Sequence, residues 1–254
     1  MIFLFHILFI GFSFAGNSIG IIGDDDRQQV LRHSGIQKYI GHLEMMLEKT
    51  VDREVSTHCT ATMISAYHLL TAAHCVTENG KLTRPEQLIF YPARLGERRT
   101  IDGFHVHSVY VSSKWLNSEK ISRPDHMYDY AIVKLKRPPY GLKDKYPKLM
   151  HLTDQSISTI FHKVYMAGYP LDKEFATLWQ NKTPSPVLLS PDVQYMPHAV
   201  DSKQGMSGSA LRAIHRTTNE QYIIGVNAAL TTRHNYAVAM TSRVYKQIHY
   251  WMKK

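Results

Sequence analysis

The chain has 254 residues, 44% of them hydrophobic, with 14 glycines and 11 prolines. That is enough apolar material for a sizeable core, and the Gly and Pro content excludes a low-complexity chain. Lys and Arg outnumber Asp and Glu by 30 to 21, a formal charge of +9. No Lys- or Arg-rich block and no nucleic-acid motif goes with it, so nucleic acid is not expected; the excess reads as charge that serves solubility, with a polyanionic glycan as the alternative partner.

Residues 2–15 are apolar almost throughout and run into Ser13-Phe14-Ala15-Gly16. The run falls short of the roughly 20 residues that span a bilayer, and small residues stand where a signal peptidase cuts. Residues 1–15 therefore read as a secretory signal peptide, with an uncleaved anchor as the alternative, and 16–20 as a short pro-segment. No later stretch reads as a membrane span, so stable membrane insertion is not expected. Ile21-Ile22-Gly23-Asp24-Asp25-Asp26-Arg27 reads as a polar, exposed arm.

The spacing then predicts strands. Ile36–Leu47 is a first strand region, and Val55–Met63 with Ile64–Ala73 form a hairpin about Ser65-Ala66-Tyr67. Leu88–Tyr91, Thr100–Val106 and His107–Val111 are short strands. His105 and His107 form an exposed pair on them and do not have metal-ligand spacing. Ala131–Leu135 alternates, with Ala131, Val133 and Leu135 on one face and Ile132 and Lys134 on the other. Lys136-Arg137-Pro138-Pro139-Tyr140-Gly141 breaks the pattern and divides the chain into halves, 21–140 and 141–254. Further strands are expected at Lys163–Gly168, Pro186–Leu189, Val193–Pro197, Ser209–Ile214, Tyr222–Ala228 and Tyr236–Thr241. The chain closes on a helix, because Val244, Ile248 and Trp251 fall at i, i+4 and i+7. Short strands at this rhythm favour an all-β sandwich or barrels. Asn181-Lys182-Thr183 is a glycosylation sequon and predicts a surface loop.

Cys59 and Cys75 are the two cysteines. A secretory route makes them a disulfide, and the bridge would fix the segment that carries His74.

Three stretches carry chemistry: Thr71-Ala72-Ala73-His74-Cys75, Tyr128-Asp129-Tyr130-Ala131, and Gln204-Gly205-Met206-Ser207-Gly208-Ser209. A serine hydroxyl is a weak nucleophile at neutral pH and needs a base, and imidazole titrates in the right range. His74 would take the proton of Ser207, and Asp129 would hold the other ring N–H; Asp125 is the alternative acid. Backbone N–H groups of Gly205 and Ser207 would receive the charge of a tetrahedral intermediate. On these motifs, in the order His74…Asp129…Ser207, the chain resembles the trypsin-like serine endopeptidases over nearly its whole length. The resemblance implies two six-stranded antiparallel β-barrels of the chymotrypsin-like kind with a C-terminal α-helix. It also implies an active site between them, protein or peptide substrates, an extracellular location, and no metal or organic cofactor.

Ile21-Ile22-Gly23-Asp24-Asp25-Asp26-Arg27…Val30 is similar to the opening of the V8-like glutamyl endopeptidases. Tyr245-Lys246-Gln247-Ile248 and Tyr250-Trp251 are similar to the tail of the animal serine protease 23 group. Departures accompany the resemblance. Met206 stands where digestive trypsins carry Asp, so activation by insertion of a new N-terminus beside the nucleophile is not expected. Asp201, with Ser202 after it, occupies the position of the basic-specificity Asp. Asn227 stands where V8-like enzymes place a glutamate-reading His. Leu230 and Tyr236 are bulky where small residues leave a pocket open. Specificity thus stays open between basic, glutamate and apolar side chains. The alternative function is a non-catalytic protease-like binding protein for glycans or cell surfaces, and a third is an esterase using the same residues.

Overall fold

The structure is a computed structural model that describes residues 19–49, 54–97, 102–117, 125–142, 145–152, 160–183 and 195–254. The signal segment 1–15 and the strand expected at 186–189 lie outside these residues.

Strands β1 (Gln28–Gln29), β2 (Ile40–Lys49), β3 (Glu54–Met63), β4 (His68–Thr71), β5 (Thr77–Glu78), β6 (Lys81–Leu82), β7 (Leu88–Pro92), β8 (Phe104–Val111) and β9 (Ala131–Leu135) come first. β2, β3, β4, β9, β8 and β7 close into a six-stranded barrel, and β5 pairs with β6 outside it. Its interior is apolar, with Leu43, Met63, Leu69, Phe90, Phe104, Val106 and Val133 almost fully buried. The expected hairpin is present: β3 and β4 pair Thr62 with Leu70 and Met63 with Leu69. The two strands expected at 100–106 and 107–111 are one strand, β8. Its register against β9 shifts between Val106 and Ser108. Such a shift inserts an extra residue and breaks the period-2 pattern that marks a strand in sequence.

The second half contributes β10 (Lys148–Leu149), β11 (Phe161–Gly168), β12 (Trp179–Thr183), β13 (Tyr195–His198), β14 (Ala210–His215), β15 (Gln221–Ala229) and β16 (Asn235–Ala239). Six of them run in the order β12-β11-β14-β15-β16-β13. The two-residue β1 joins β12 and the two-residue β10 joins β15 in parallel. Val164, Met166, Leu211, Ile224, Ala237 and Ala239 form the core beneath this sheet.

The N-terminal arm is not a free polar segment. Ile21, Arg27 and Val30 are buried, and β1 is part of the second sheet. A buried guanidinium needs counter-charges. Arg27 has two: Asp25 at 2.8 Å and Asp172 at 2.6 Å. Asn181 is likewise not in a surface loop. It lies within β12, 7% exposed, opposite Met166 of β11, and its Nδ2 donates to Asp26 Oδ1 at 2.9 Å. A side-chain amide enclosed and hydrogen-bonded in this way is closed to glycosylation in the folded chain.

Among the described residues, the α-helices are α1 (Ser113–Leu116) and α2 (Ser242–Trp251). The Thr241 side chain caps α2 by accepting from Val244 N. The stripe Val244, Ile248 and Trp251 is buried in a core to which both halves contribute, and Trp251 lies 5.5 Å from the ring of Tyr130, which immediately precedes β9. The last helix of the second half therefore packs on the first.

Candidate active site

β4 and β9 are neighbours in the barrel, with Thr71 opposite Ala131. The chain leaves β4 into a one-turn 3-10 helix, Ala73–Val76, and it enters β9 from another, Asp125–Tyr128. The pairing therefore brings His74 and Asp129 to the same end of the barrel. Asp129 is 1% exposed and uses both oxygens on one residue: Oδ1 accepts from the His74 backbone N–H at 2.9 Å, and Oδ2 lies 2.7 Å from His74 Nδ1. Burial of the ring disfavours imidazolium, but the charge and hydrogen bond of Asp129 together outweigh it, so His74 titrates above its ordinary value. The side chain of the alternative acid, Asp125, lies outside the described residues. The partner of His74 is Asp129.

Cys59 of β3 and Cys75 beside His74 are disulfide-bonded. The next residue of β3, Thr60, reaches the second half: its N–H donates to Ser207 O at 2.9 Å. Ser207 is thus tied to the strand that is itself bridged to the His74 turn. Gly205 (φ +89°) and Gly208 (φ +80°) flank it in the left-handed region. A Cβ at 205 would collide with the Tyr169 carbonyl, and one at 208 with the Thr71 hydroxyl. The loop fits against the barrel only with glycine at both positions. Among the described residues, the N–H groups of Gly205 and Ser207 meet no backbone acceptor, whereas those of Met206, Gly208 and Ser209 do.

The residues expected to read substrate are arranged differently from one another. Asp201 is 2% exposed and faces the arm: Oδ1 accepts from Ile22 N at 2.8 Å and Oδ2 from Asp26 N at 3.2 Å. Burial, with the nearby Asp26 carboxylate, pushes it up to about 6. Ser202 is buried and donates its N–H to Gly20 O at 2.8 Å. Asn227 is fully buried, and its Nδ2 donates to Ser202 Oγ at 2.9 Å and Met206 O at 3.0 Å. Leu230 and Tyr236 are half-buried; the Tyr236 ring stacks on Tyr195 at 4.5 Å. Met206 is fully buried, and its sulfur lies 3.9 Å from Arg27 Nη1.

Sequence reasoning missed three contributors. Arg27 lies beneath the residue preceding Ser207. The buried Thr60 touches Gly205, Ser207 and Tyr169. The His58 ring lies 3.1 Å from Tyr169 O and 2.9 Å from where a Gly205 Cβ would stand; burial lowers its pKa, so it stays neutral. The available signal was position: His58 and Thr60 flank Cys59. Among the described residues, the metal-capable grouping is Cys59, His74 and Cys75. Its two sulfurs are bonded to each other and cannot act as thiolate ligands.

A family model described as Trypsin matches residues 34–251. The chain is 24% identical over 234 residues to the extracellular metalloprotease of Bacillus subtilis, covering 91% of this chain and 69% of that protein. It is 25% identical over 190 residues to the glutamyl endopeptidase of Bacillus licheniformis, covering 74% and 53%. It is 26% identical over 235 residues to serine protease 23 of Bos taurus, covering 79% and 58%. The chain thus spans little more than half the length of the last two. Among solved structures, a Glu endopeptidase in complex with MPD superposes with a TM-score of 0.71 at 21% identity, over 92% of this chain and all of that one. The protease Anisep from Arthrobacter nicotinovorans gives 0.64 at 16% identity, over 87% and 96%. At these identities the two structures speak for a common fold alone.

Proposed function

The chain belongs to the trypsin family, and we propose that it is a secreted serine endopeptidase working through Ser207, His74 and Asp129. The observation that carries the reading is the two-point grip of buried Asp129 on His74, at 2.7 Å and 2.9 Å. It fixes the ring with Nδ1–H on the carboxylate, leaving Nε2 as the base. Ser207 Oγ attacks the scissile carbonyl while His74 takes its proton. His74 then returns that proton to the leaving amine, and water releases the acyl group by the reverse route. The Gly205 and Ser207 N–H groups donate hydrogen bonds to the oxyanion.

Residues 1–15 act as the signal peptide in this reading, 16–20 as a short pro-segment, and 21–140 and 141–254 as the two barrel halves flanking the site. Substrates are proteins or peptides, and the +9 charge suits a polyanionic glycan as a further partner. The carboxylate of Asp201 is spent on the arm and the amide of Asn227 on the nucleophile loop. With Leu230 and Tyr236 as walls, an uncharged, apolar residue before the scissile bond is favoured. The name of the Bacillus subtilis relative specifies a metalloprotease, but the grouping around His74 does not fit a metal, because the Cys59 and Cys75 sulfurs are bonded to each other.

A peptide-library digest by the purified secreted protein tests the reading. Cleavage after apolar residues, abolished in Ser207→Ala, is expected. Cleavage that survives Ser207→Ala contradicts the nucleophile, and cleavage only after Glu, Lys or Arg contradicts the specificity.

A further inference from the structure

An oxyanion site built from two N–H groups of a glycine-containing loop raises a physical problem. Glycine allows the turn, but it also allows the peptides to rotate away. Something must hold them.

Every carbonyl from Gln204 to Ser207 has a donor. Gln204 O accepts from Leu171 N at 2.7 Å, Gly205 O from Thr60 Oγ1 at 2.9 Å, and Ser207 O from Thr60 N at 2.9 Å. Met206 O accepts from Asn227 Nδ2 at 3.0 Å and from Ser209 N at 3.1 Å. In a planar trans peptide the C=O and N–H point opposite ways. Anchoring the Gly205 and Ser207 carbonyls therefore directs the N–H groups of Met206 and Gly208, which donate to Lys203 O at 2.9 Å and Asn227 O at 2.8 Å. Anchoring the Gln204 and Met206 carbonyls directs the N–H groups of Gly205 and Ser207 the other way. Those are the two left without a backbone acceptor among the described residues.

Two of these anchors are side chains, one from each half of the molecule. We propose that Thr60 and Asn227 are positioning residues that clamp the oxyanion loop from opposite sides: Asn227 aims the Ser207 N–H through Met206 O, and Thr60 pins the Gly205–Met206 and Ser207–Gly208 peptides on either side, so that the loop cannot rotate its donors away. The inference rests on the serine endopeptidase reading above.

Both residues are fully buried. The Thr60 hydroxyl accepts from Tyr169 N at 2.9 Å, which commits its one proton to Gly205 O, and the Thr60 carbonyl accepts from the Thr71 hydroxyl at 2.9 Å. The neighbouring strand makes room for it: a Cβ at Gly168 would stand 2.9 Å from Thr60 Oγ1. Asn227 grips the loop three ways, with Nδ2 on Met206 O, its own N–H on Ser209 O at 2.9 Å, and its own carbonyl on Gly208 N. The second N–H of its amide goes to Ser202 Oγ at 2.9 Å, which fixes the rotamer. Asn227 therefore supports the loop from behind, and is not a group offered to the substrate side chain.

The test uses the secreted full chain with fluorescent casein. Thr60→Val keeps the shape and removes the hydroxyl; Thr60→Ala is the second deletion should valine not be accommodated; Thr60→Ser restores the hydroxyl. Asn227→Leu removes the amide at similar volume. The deletions should lower kcat roughly 10- to 100-fold, the scale of a misaimed donor, with KM within about 3-fold. Thr60→Ser should stay within about 3-fold of wild type in both. Deletion variants with unchanged kcat, or with kcat falling only as the folded fraction falls, overturn the proposal. A folded wild type that digests no casein contradicts the endopeptidase reading instead. Amide exchange then decides on the clamp: Tyr169 N–H and the 204–208 amides must exchange faster in Thr60→Val than in wild type and Thr60→Ser. Equal protection overturns it.

Discussion

His74 is held by a single carboxylate, and that gives the proposed base a definite pH behaviour. Burial alone would keep the ring neutral to lower pH, but the charge and hydrogen bond of Asp129 more than reverse this. The base works only when neutral. Activity is therefore low below the His74 pKa and rises as the pH passes above it, which places the acid limb of kcat/KM above 6.5. A midpoint below 6.5 would show that burial, not Asp129, sets the base. Asp129→Asn turns an amide N–H₂ or a single oxygen toward Nδ1 and favours the wrong tautomer, so turnover should fall about 10⁴-fold with the fold retained. The pairing of His74 with Asp129 was legible because each sits in a short motif at a strand end, and adjacent strands carry both to one place. The orientation of Asp201 was not. Its spacing from Ser207 says where it lies in the chain, whereas the direction of its carboxylate is set by backbone N–H groups of Ile22 and Asp26, 179 and 175 residues away.

The N-terminal arm is the element whose role differs most from its composition. Three aspartates in a row suggest solvent, yet Arg27 folds inward under Met206 and draws Asp25 and Asp172 after it. Removing the guanidinium would leave a void beneath the Ser207 loop, take the ion pair from Asp172, and leave Asp25 with Lys173 at 3.0 Å. Asp25 and Asp172 keep 33% and 39% exposure, so water takes over part of that loss. Arg27→Ala should cost about 1–3 kcal/mol, less than the 3–5 kcal/mol of a sealed pair. Both carboxyls are held below their ordinary value, chiefly by the Arg27 hydrogen bond for Asp25 and by Arg27 against burial for Asp172. That stabilisation is present above the unfolded value of 3.8 and is lost as the pH falls through the lower folded values. The gap between wild type and Arg27→Ala in urea unfolding should therefore narrow in acid; a gap that widens there contradicts the ion-pair account. Most strands and the stripe of α2 were legible from periodicity. β1 was not, because two residues carry no period and its partner, β12, is about 150 residues distant. The continuity of β8 was hidden by the shift at Val106 and Ser108.

At the scale of the molecule, the proposed site exists only where the two halves meet. The first half brings His74 and Asp129, the second brings Ser207, and β3 links them through the disulfide at Cys59 and the Thr60–Ser207 hydrogen bond. α2 strengthens the union by burying Trp251 in the core shared by both halves, against the ring of Tyr130. The all-β class was readable from strand rhythm, but the contact between halves was not, since it depends on single residues such as Thr60 that no pattern marks. Replacing Cys59 and Cys75 with serine opens a cross-link between residues 16 apart. A loop of that size is worth about 3 kcal/mol, so the variant should unfold at lower urea and lose activity ahead of unfolding as the His74 turn loosens. Activity and fold lost together would argue that the bridge serves stability alone. The most direct test of the central claim is intact-mass analysis of the purified protein after a fluorophosphonate probe, beside Ser207→Ala and His74→Ala. The account predicts one adduct on wild type, none on Ser207→Ala, and labelling slowed by several orders of magnitude on His74→Ala. Folded wild type that carries no adduct, or an adduct that persists on Ser207→Ala, contradicts it.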